Sequence, residues 1–240
     1  MSIIFDGVSK AFGPKKILDR VSFTVNTGEI MFILGKSGMG KSVTLKNIVG
    51  LLKPDAGDVH VEHFTINKLD EEGLEEARKV CGMVFQHPAL LDSLTVYENV
   101  AFGLRGISAE KVKERVRECL GLVHLDESIF SRKPPEISYG MQKRVSLART
   151  LAPGPRYLLF DEPTTGLDPI TTNAVNELIF ELSRRLKVTS IVVSHDMGCA
   201  LRIADRILVL DQGHILALGT VDEIKRHPAE LIRDFLREAI

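Results

Sequence analysis

Residues 30–42 read Ile-Met-Phe-Ile-Leu-Gly-Lys-Ser-Gly-Met-Gly-Lys-Ser, an apolar run followed by a glycine-rich turn. The first five residues are continuously apolar, as expected of a strand that is buried on both faces. Beyond this stretch, apolar residues recur at helical spacing from Val43 to Leu52. The pattern predicts a strand, a loop and a helix, and this unit decides the fold.

The loop of this unit has the spacing Gly-x4-Gly-Lys-Ser. Its glycines allow a tight turn whose N–H groups, together with the helix N-terminus, form a cradle for phosphate oxygens. Lys41 would reach the β- and γ-phosphates, and Ser42 would offer its hydroxyl to Mg²⁺. A chance match is the alternative, but the flanking strand and helix weigh against it. The predicted nucleotide-binding residues here are Gly35, Lys36, Ser37, Gly38, Met39, Gly40, Lys41, Ser42 and Val43.

Composition narrows the class of protein. The 240 residues are 44% hydrophobic and 26% charged, enough apolar content for a substantial core. A net charge of −1 gives no broad attraction to nucleic acid, so no nucleic-acid partner is predicted. The chain has neither a signal-peptide pattern nor an apolar run of membrane-spanning length, and its three cysteines are widely separated. We expect a cytoplasmic chain that reaches a membrane only through another protein.

The rest of the chain predicts an α/β fold with three parts. Residues 2–9 and 21–26 alternate apolar and polar side chains, which indicates a small N-terminal antiparallel sheet. Short apolar strands then alternate with helices, which implies a mainly parallel core sheet. These elements are strands at 80–85, 157–160, 190–194, 207–210 and 215–218, helices at 74–79 and 171–186, and a hairpin turn at 211–213. An α-helical subdomain is inserted between them. The predicted single domain, 1–240, has its core at 1–86 and 155–220, helical subdomain at 87–154 and C-terminal helices at 221–240.

Two adjacent carboxylates follow the predicted strand at 157–160. Such a pair is more often surface decoration, but the C-terminal end of a buried strand is where open α/β sheets bind their ligands. Asp161 would complete a Mg²⁺ site with Ser42, and Glu162 would polarise the water that attacks the γ-phosphate. With Lys41 as the charge-stabilising group, these residues specify a P-loop NTPase.

Five further features occupy set positions around this site. They are Phe12 before Gly13, Gln86 after the strand at 80–85, the segment Ile137-Ser-Tyr-Gly-Met-Gln-Lys-Arg-Val145, Gly166-Leu167-Asp168, and His195 after the strand at 190–194. Together they resemble the nucleotide-binding subunits of ABC transporters over essentially the whole chain. The resemblance implies a RecA-like P-loop NTPase core, ATP and Mg²⁺ as cofactors, and an ATPase that drives a separate membrane permease.

The resemblance also implies roles for these residues. Gln86 matches the Q-loop glutamine that reaches Mg²⁺ and water, His195 the switch histidine that contacts the γ-phosphate, and Phe12 the aromatic residue that stacks on adenine. Taken singly, each has a plainer interpretation: Gln86 as a solvated loop residue, His195 as a neighbour of a helix cap, and Phe12 as a packing residue of the small sheet. Their common order argues against coincidence.

Residues 137–145, called the signature segment below, depart from the family pattern Leu-Ser-Gly-Gly-Gln at Tyr139 and Met141. Ser138 still offers a hydroxyl and Gly140 a bare N–H to phosphate, so we expect function to survive. In the family, the signature of one subunit and the D-loop, here with Asp168, close over the ATP of the other. The resemblance therefore implies a head-to-tail dimer that traps two ATP molecules.

A finer resemblance concerns the cargo. Residues 84–105 and 194–206 look like the Mla/Mce-type lipid-transport ATPases, which implies phospholipid transport with an Mce-type lipid-binding subunit and a permease-docking surface at 87–105. Import of amino acids or another small solute is the alternative. A soluble ABC ATPase acting on ribosomes or DNA is disfavoured because the chain has one cassette and no basic stripe. A P-loop kinase would leave the signature segment and His195 unexplained.

Overall fold

The computed structural model describes residues 2–238. The strands are β1 (Ser2–Phe12), β2 (Lys15–Asn26), β3 (Ile30–Leu34), β4 (Ala56–Val61), β5 (Phe64–Thr65), β6 (Cys81–Val84), β7 (Tyr157–Asp161), β8 (Thr189–Ser194), β9 (Arg206–Asp211) and β10 (His214–Thr220). The helices are α1 (Lys41–Ile48), α2 (Glu71–Lys79), α3 (Val96–Ala101), α4 (Ala109–Leu122), α5 (Tyr139–Leu151), α6 (Pro169–Leu186), α7 (Met197–Ile203), α8 (Val221–Lys225) and α9 (Glu230–Glu238).

A six-stranded sheet forms the centre of the structure, in the order β10-β9-β3-β8-β7-β6. Strands β6, β7, β8, β3 and β9 run parallel, and β10 is the antiparallel edge strand that follows the predicted turn at 211–213. Every residue of β3, β7 and β8 is buried, as continuous apolar runs predict for a sheet covered on both faces. The predicted mainly parallel core is confirmed.

Two hydrophobic cores lie on opposite faces of this sheet. Alternate residues of β3 divide between them, because successive side chains of a strand point to opposite faces. Ile30, Phe32 and Leu34 join the core shared with α3–α7. Met31 and Ile33 join the core shared with the N-terminal sheet and α1. The strand that precedes the glycine-rich loop is therefore fixed by packing from both sides.

The N-terminal sheet is antiparallel, in the order β2-β1-β4-β5, and the rings of Phe5 and Phe23 stack in it at 4.5 Å between centroids. Its first two strands are longer than predicted. Strand β1 continues to Phe12, and β2 begins at Lys15. The register shifts several times along the pair. Each shift breaks the alternation of apolar and polar residues, which is why the sequence pattern underestimates these strands.

Other element boundaries were also wrong by a few residues, and capping explains the two helix starts. The predicted helix at 74–79 begins at Glu71, because the Asp70 carboxylate accepts a hydrogen bond of 2.9 Å from the Gly73 N–H. The helix predicted from residue 171 begins at Pro169, with Asp168 as its N-cap. The predicted strand at 80–85 is shorter, at 81–84. The strands predicted at 157–160, 190–194, 207–210 and 215–218 extend by one to three residues.

Helices α3, α4 and α5 pack against one another, and all three lie within the helical subdomain predicted at 87–154. They share buried apolar residues such as Val116, Leu120 and Val145. Helix α5 also packs against β6 and so connects this lobe to the central sheet. The exact subdomain boundaries stay a prediction. Within residues 2–238, no helix combines the length and the apolar character needed to cross a membrane.

We predict that the native protein resists thiol alkylation at pH 8. Burial raises the pKa of the Cys81 and Cys199 thiols to about 12 and that of Cys119 to about 11, so little thiolate forms at this pH. Labelling with iodoacetamide, followed by mass spectrometry, should be about 100-fold slower or more than in concentrated urea. If any one cysteine were alkylated equally fast in the native protein and in urea, its thiol could not be buried as described.

Candidate nucleotide-binding site

The glycine-rich loop owes its shape to the strand that lies behind it. Gly40 precedes α1 with a φ of 98°, which L side chains rarely adopt. A Cβ atom there would lie 2.8 Å from Leu18 Cδ2 and 2.9 Å from the Ile17 carbonyl oxygen. Only glycine therefore allows β2 to pack directly against the start of the helix.

Lys41 lies at the centre of this loop and is almost fully buried, with 6% of its surface exposed. Its ammonium donates hydrogen bonds to the carbonyl oxygens of Gly35 (2.8 Å) and Lys36 (3.3 Å). It also lies 3.4 Å from Glu162 Oε1. A positive charge is thus held between the loop backbone and a carboxylate that comes from another strand.

Ser42 and Asp161 meet although they are far apart in sequence. Ser42 lies in the first turn of α1 and donates a hydrogen bond of 2.6 Å to Asp161 Oδ1 at the buried end of β7. Magnesium prefers hard oxygen ligands and is held in proteins by one or two such groups together with substrate phosphates and water. These two oxygens fit that requirement. The described residues contain no cluster of three or more His, Cys, Asp or Glu side chains that could hold another kind of metal.

Glu162 and His195 also come together. His195 Nδ1 lies 2.8 Å from Glu162 Oε2, and the Thr165 hydroxyl donates to the same carboxylate oxygen at 3.4 Å. The Glu162 backbone has a φ of 48°, and its N–H donates to the Val193 carbonyl oxygen at 2.9 Å. Contacts from β8 and from the loop after β7 therefore fix this carboxylate beside Lys41.

These groups line one open cavity of about 820 Å³. Eleven of the residues predicted to act in the site line it: Phe12, Lys36, Ser37, Gly38, Gly40, Lys41, Ser42, Val43, Gln86, Glu162 and His195. The Phe12 ring, 49% exposed, lies at the cavity and is not packed into the small sheet, so it presents a flat face to a base. The geometry thus unites groups for a base, a phosphate chain and a reacting water.

Three predicted residues of the same site do not line the cavity. Asp161 lies beneath Ser42, as its hydrogen bond shows. Gly35 packs so closely on β9 that a Cβ atom would lie 2.6 Å from the Leu210 carbonyl oxygen, and Met39 Sδ accepts a hydrogen bond from the Gln212 N–H. Gly35 and Met39 therefore hold the phosphate loop against β9 and the turn that follows it.

The structure adds residues that the sequence did not indicate. Lys15, Ile17 and Thr165 line the cavity, as do Phe235 and Glu238 of the C-terminal helix α9. Lys15 directly follows the turn after Phe12, and Thr165 follows Glu162 by three residues, so proximity to predicted residues could have suggested them. No sequence pattern relates α9 to the phosphate loop.

The signature segment and the D-loop form a separate cavity of about 390 Å³, which contains the predicted residues Ser138, Gly140 and Asp168. Ser138 is the N-cap of α5, where its hydroxyl accepts a hydrogen bond from the Met141 N–H at 3.3 Å. Asp168 caps α6 by accepting from the backbone N–H groups of Ile170 and Thr171, both at 3.0 Å. The Thr171 hydroxyl also donates to Asp168 and lowers the pKa of its carboxyl. These three predicted residues do not join the first cavity within one chain.

Tyr139, one of the two departures from the family pattern, makes contacts that a glycine would lack. Its hydroxyl lies 3.2 Å from Nδ1 of His87, the residue after Gln86. Its ring lies 5.4 Å from the Lys143 ammonium, within the range of a cation–π contact. The side chain thus connects the signature segment to the Q-loop.

The fold and the site define an ATP-binding cassette ATPase domain: a phosphate loop, a carboxylate pair at the end of β7, a histidine after β8 and a separate signature segment. Residues 18–165, more than half of the chain, match the family described as ABC transporter. The chain belongs to this family.

Curated relatives agree with this membership. The chain is 41% identical over 215 residues to the methionine import ATP-binding protein MetN of Carboxydothermus hydrogenoformans, a match that covers 89% of this chain and 64% of that protein. It is also 41% identical to the MetN protein of Caulobacter vibrioides, over 99% of this chain and 73% of that protein. The chain thus spans roughly two thirds of the length of these relatives. They do not support the finer expectation of a Mla/Mce-type lipid ATPase.

Solved structures give the same fold. A dimeric post-hydrolysis structure of the ATP-binding cassette MJ0796 bound to ADP and Pi superimposes with a TM-score of 0.83 at 34% identity, covering 91% of this chain and 98% of that one. The cbiO1 protein of Clostridium perfringens, described as part of the ABC transporter complex cbiONQ, gives 0.85 at 27% identity, covering 99% and 98%. The predicted P-loop NTPase fold is confirmed.

We expect Gly40→Ala to weaken nucleotide binding. The added Cβ would meet Leu18 and Ile17 in a backbone conformation that alanine avoids, so the loop must shift. Titration calorimetry with ATP should show an affinity loss of about tenfold or more. Gly121→Ala is the matched control, because a Cβ atom there meets nothing within 4 Å. Unchanged ATP affinity in Gly40→Ala would contradict the assignment of this loop.

Proposed function

We propose that this chain is the ATP-hydrolysing motor of an importer for an amino acid or a similar small solute. The observation that carries the ATPase assignment is the convergence of Lys41, Ser42, Asp161 and Glu162 at one end of the sheet. The MetN relatives, which are named for methionine import, support the choice of an amino-acid importer over a lipid transporter. In this proposal, the chain acts on the cytoplasmic face of the membrane through a separate permease.

Hydrolysis of ATP needs positioning and charge stabilisation more than covalent chemistry. The backbone N–H groups of the phosphate loop and the start of α1 would hold the β- and γ-phosphates, and the Lys41 ammonium would offset their charge. Ser42 and Asp161 would hold Mg²⁺, which when bound supplies further charge neutralisation. The Phe12 ring would stack on the adenine base.

Glu162 would orient the attacking water and accept its proton. Its carboxylate is held by His195 and Thr165 on one oxygen and lies beside Lys41 with the other, so its direction is set before substrate binds. Gln86 lies across the same cavity and would contact the water and the metal site. The general base, Glu162, and the charge that stabilises the phosphates, the Lys41 ammonium, therefore lie side by side.

The separation of the two cavities supports a head-to-tail dimer. Ser138 and Gly140 offer a hydroxyl and a bare N–H at the N-terminus of the 13-residue helix α5, a suitable anion site, yet they lie apart from the phosphate loop of the same chain. A second copy that presents these groups to the first cavity would complete the site. Asp168, in the same second cavity, would lie near this junction.

We predict that Glu162→Gln lowers the rate of ATP hydrolysis by about 100-fold or more. The variant should also form a stable dimer in ATP and Mg²⁺. An amide cannot accept the proton of water, so the nucleotide remains bound at the interface. Light scattering after size exclusion should show a doubled mass. Glu181→Gln, a change at a half-exposed glutamate of α6, should behave as the unaltered protein. A Glu162→Gln protein that remains monomeric would contradict the dimer.

The cargo is tested by purifying the tagged chain from gently solubilised membranes and identifying the copurifying proteins by mass spectrometry. We expect a permease together with a binding protein for a small solute. Recovery of an Mce-type lipid-binding subunit would overturn the amino-acid proposal in favour of lipid transport. Recovery of ribosomes without a permease would overturn transport altogether.

A further inference from the structure

Helix α5 carries a buried lysine near the end of the signature segment, and the proposed mechanism does not use it. Lys143 is only 7% exposed. Its ammonium donates three hydrogen bonds, to the carbonyl oxygens of Gln86 (3.1 Å), Pro163 (2.7 Å) and Thr165 (2.9 Å). These carbonyls belong to the loops that follow β6 and β7. One side chain therefore joins the signature helix to both loops that border the nucleotide cavity.

We propose that Lys143 is a positioning residue for ATP hydrolysis, which holds the Gln86 and Glu162 loops in register with the signature helix. The proposal rests on the ATPase function proposed above. Gln86 is bonded through its own carbonyl group, and Pro163 directly follows Glu162. The third partner, Thr165, donates its hydroxyl to the Glu162 carboxylate. Gln86 and Glu162 are the side chains assigned to the attacking water. Lys143 thus bonds the carbonyl of Gln86 itself and the carbonyl of the residue after Glu162.

The chemistry of lysine suits this task. An ammonium group has three donors, and here three backbone carbonyls accept them. Hydrogen bonds from a charged donor are about twice as strong as neutral ones, so the three bonds resist separation of the loops. The described hydrogen bonds of Lys143 all go to backbone carbonyls, and burial is the cause of its lowered pKa. The Tyr139 ring, 5.4 Å away, adds a cation–π contact on the signature side.

The location of Lys143 carries a cost that packing alone does not explain. Burial lowers the pKa of its ammonium to about 8, which shows that the charged form is disfavoured where it lies. A methionine of similar length would fill the same space without this cost. The three hydrogen bonds to the two loops offset the free-energy cost of burying the charge, and no apolar side chain could make them.

A second cation of α5 supports the same interpretation. The Arg149 guanidinium donates to the carbonyl oxygens of Ala89 (2.9 Å) and Pro88 (3.4 Å). The helix therefore contacts the Q-loop at two points, through Lys143 at Gln86 and through Arg149 two to three residues further on. A shift of α5 relative to the sheet would have to move this loop with it.

The test is Lys143→Met, which keeps the length of the side chain and removes all three donors. The kcat for ATP hydrolysis should fall about tenfold or more, whereas the KM for ATP should change by less than about twofold, because the hydrogen bonds of Lys143 go to the loops after β6 and β7 and not to the phosphate loop. Hydrogen exchange in the same protein should become faster at residues 86–90 and 162–167 together.

The matched control is Lys113→Met, the same substitution at an exposed lysine of helix α4. Lys113 lies outside the signature segment, the two loops and both cavities. Its kcat and its exchange at 86–90 and 162–167 should match the unaltered protein. A Lys143→Met protein with unaltered kcat, or an equal loss of kcat in Lys113→Met, would overturn the proposal.

Lys143→Gln is the second variant, and it decides the question if Lys143→Met fails to fold. It keeps an N–H donor, so it should retain more kcat than Lys143→Met and show smaller changes in hydrogen exchange. A Lys143→Gln protein with unaltered exchange in both loops would overturn the proposal. If the unaltered protein hydrolyses no ATP, the ATPase proposal fails, whereas the exchange comparison still tests the contacts of Lys143.

Discussion

The hydrogen bond between Ser42 and Asp161 joins two strands that are not neighbours. Ser42 follows β3 and Asp161 ends β7, with β8 between them in the sheet. The same three strand ends also bring Lys41, Glu162 and His195 together. The site therefore exists only when three parallel strands pair in this order, with β8 hydrogen-bonded to β3 on one side and to β7 on the other. The three strands are also buried on both faces.

Much of the site could be predicted from the sequence because its residues lie directly beyond apolar runs. A continuous apolar run indicates a buried strand, and polar residues after such strands collect at one edge of a parallel sheet. Asp161, Glu162 and His195 fit this rule, whereas Lys41 is indicated by the spacing of the glycine-rich loop. The central sheet could be predicted for the same reason. Boundaries were less predictable where bulges disrupt β1 and β2 or where Asp168 begins a helix earlier than its apolar pattern suggests.

Contacts between distant segments could not be predicted. The bonds from Lys143 to Gln86 and Pro163 cross 57 and 20 residues of chain, and nothing local in the sequence marks their partners, because backbone carbonyls are present at every residue. The contact of Tyr139 with His87 likewise depends on how α5 packs beside β6. The presence of α9 at the cavity is a result of tertiary packing. The ATP site does not indicate the cargo, so the proposal for it rests on the MetN relatives.

In the proposed mechanism, the phosphate loop, the carboxylates of β7 and the loops held by Lys143 form one reaction site. A crystal structure of the chain with Mg²⁺ and a non-hydrolysable ATP analogue tests this most directly. It should show the terminal phosphates on the backbone N–H groups of the loop and on the Lys41 ammonium, with Ser42 on the metal and Glu162 facing the γ-phosphate. A triphosphate bound elsewhere, or one that Lys41 does not contact, would contradict it.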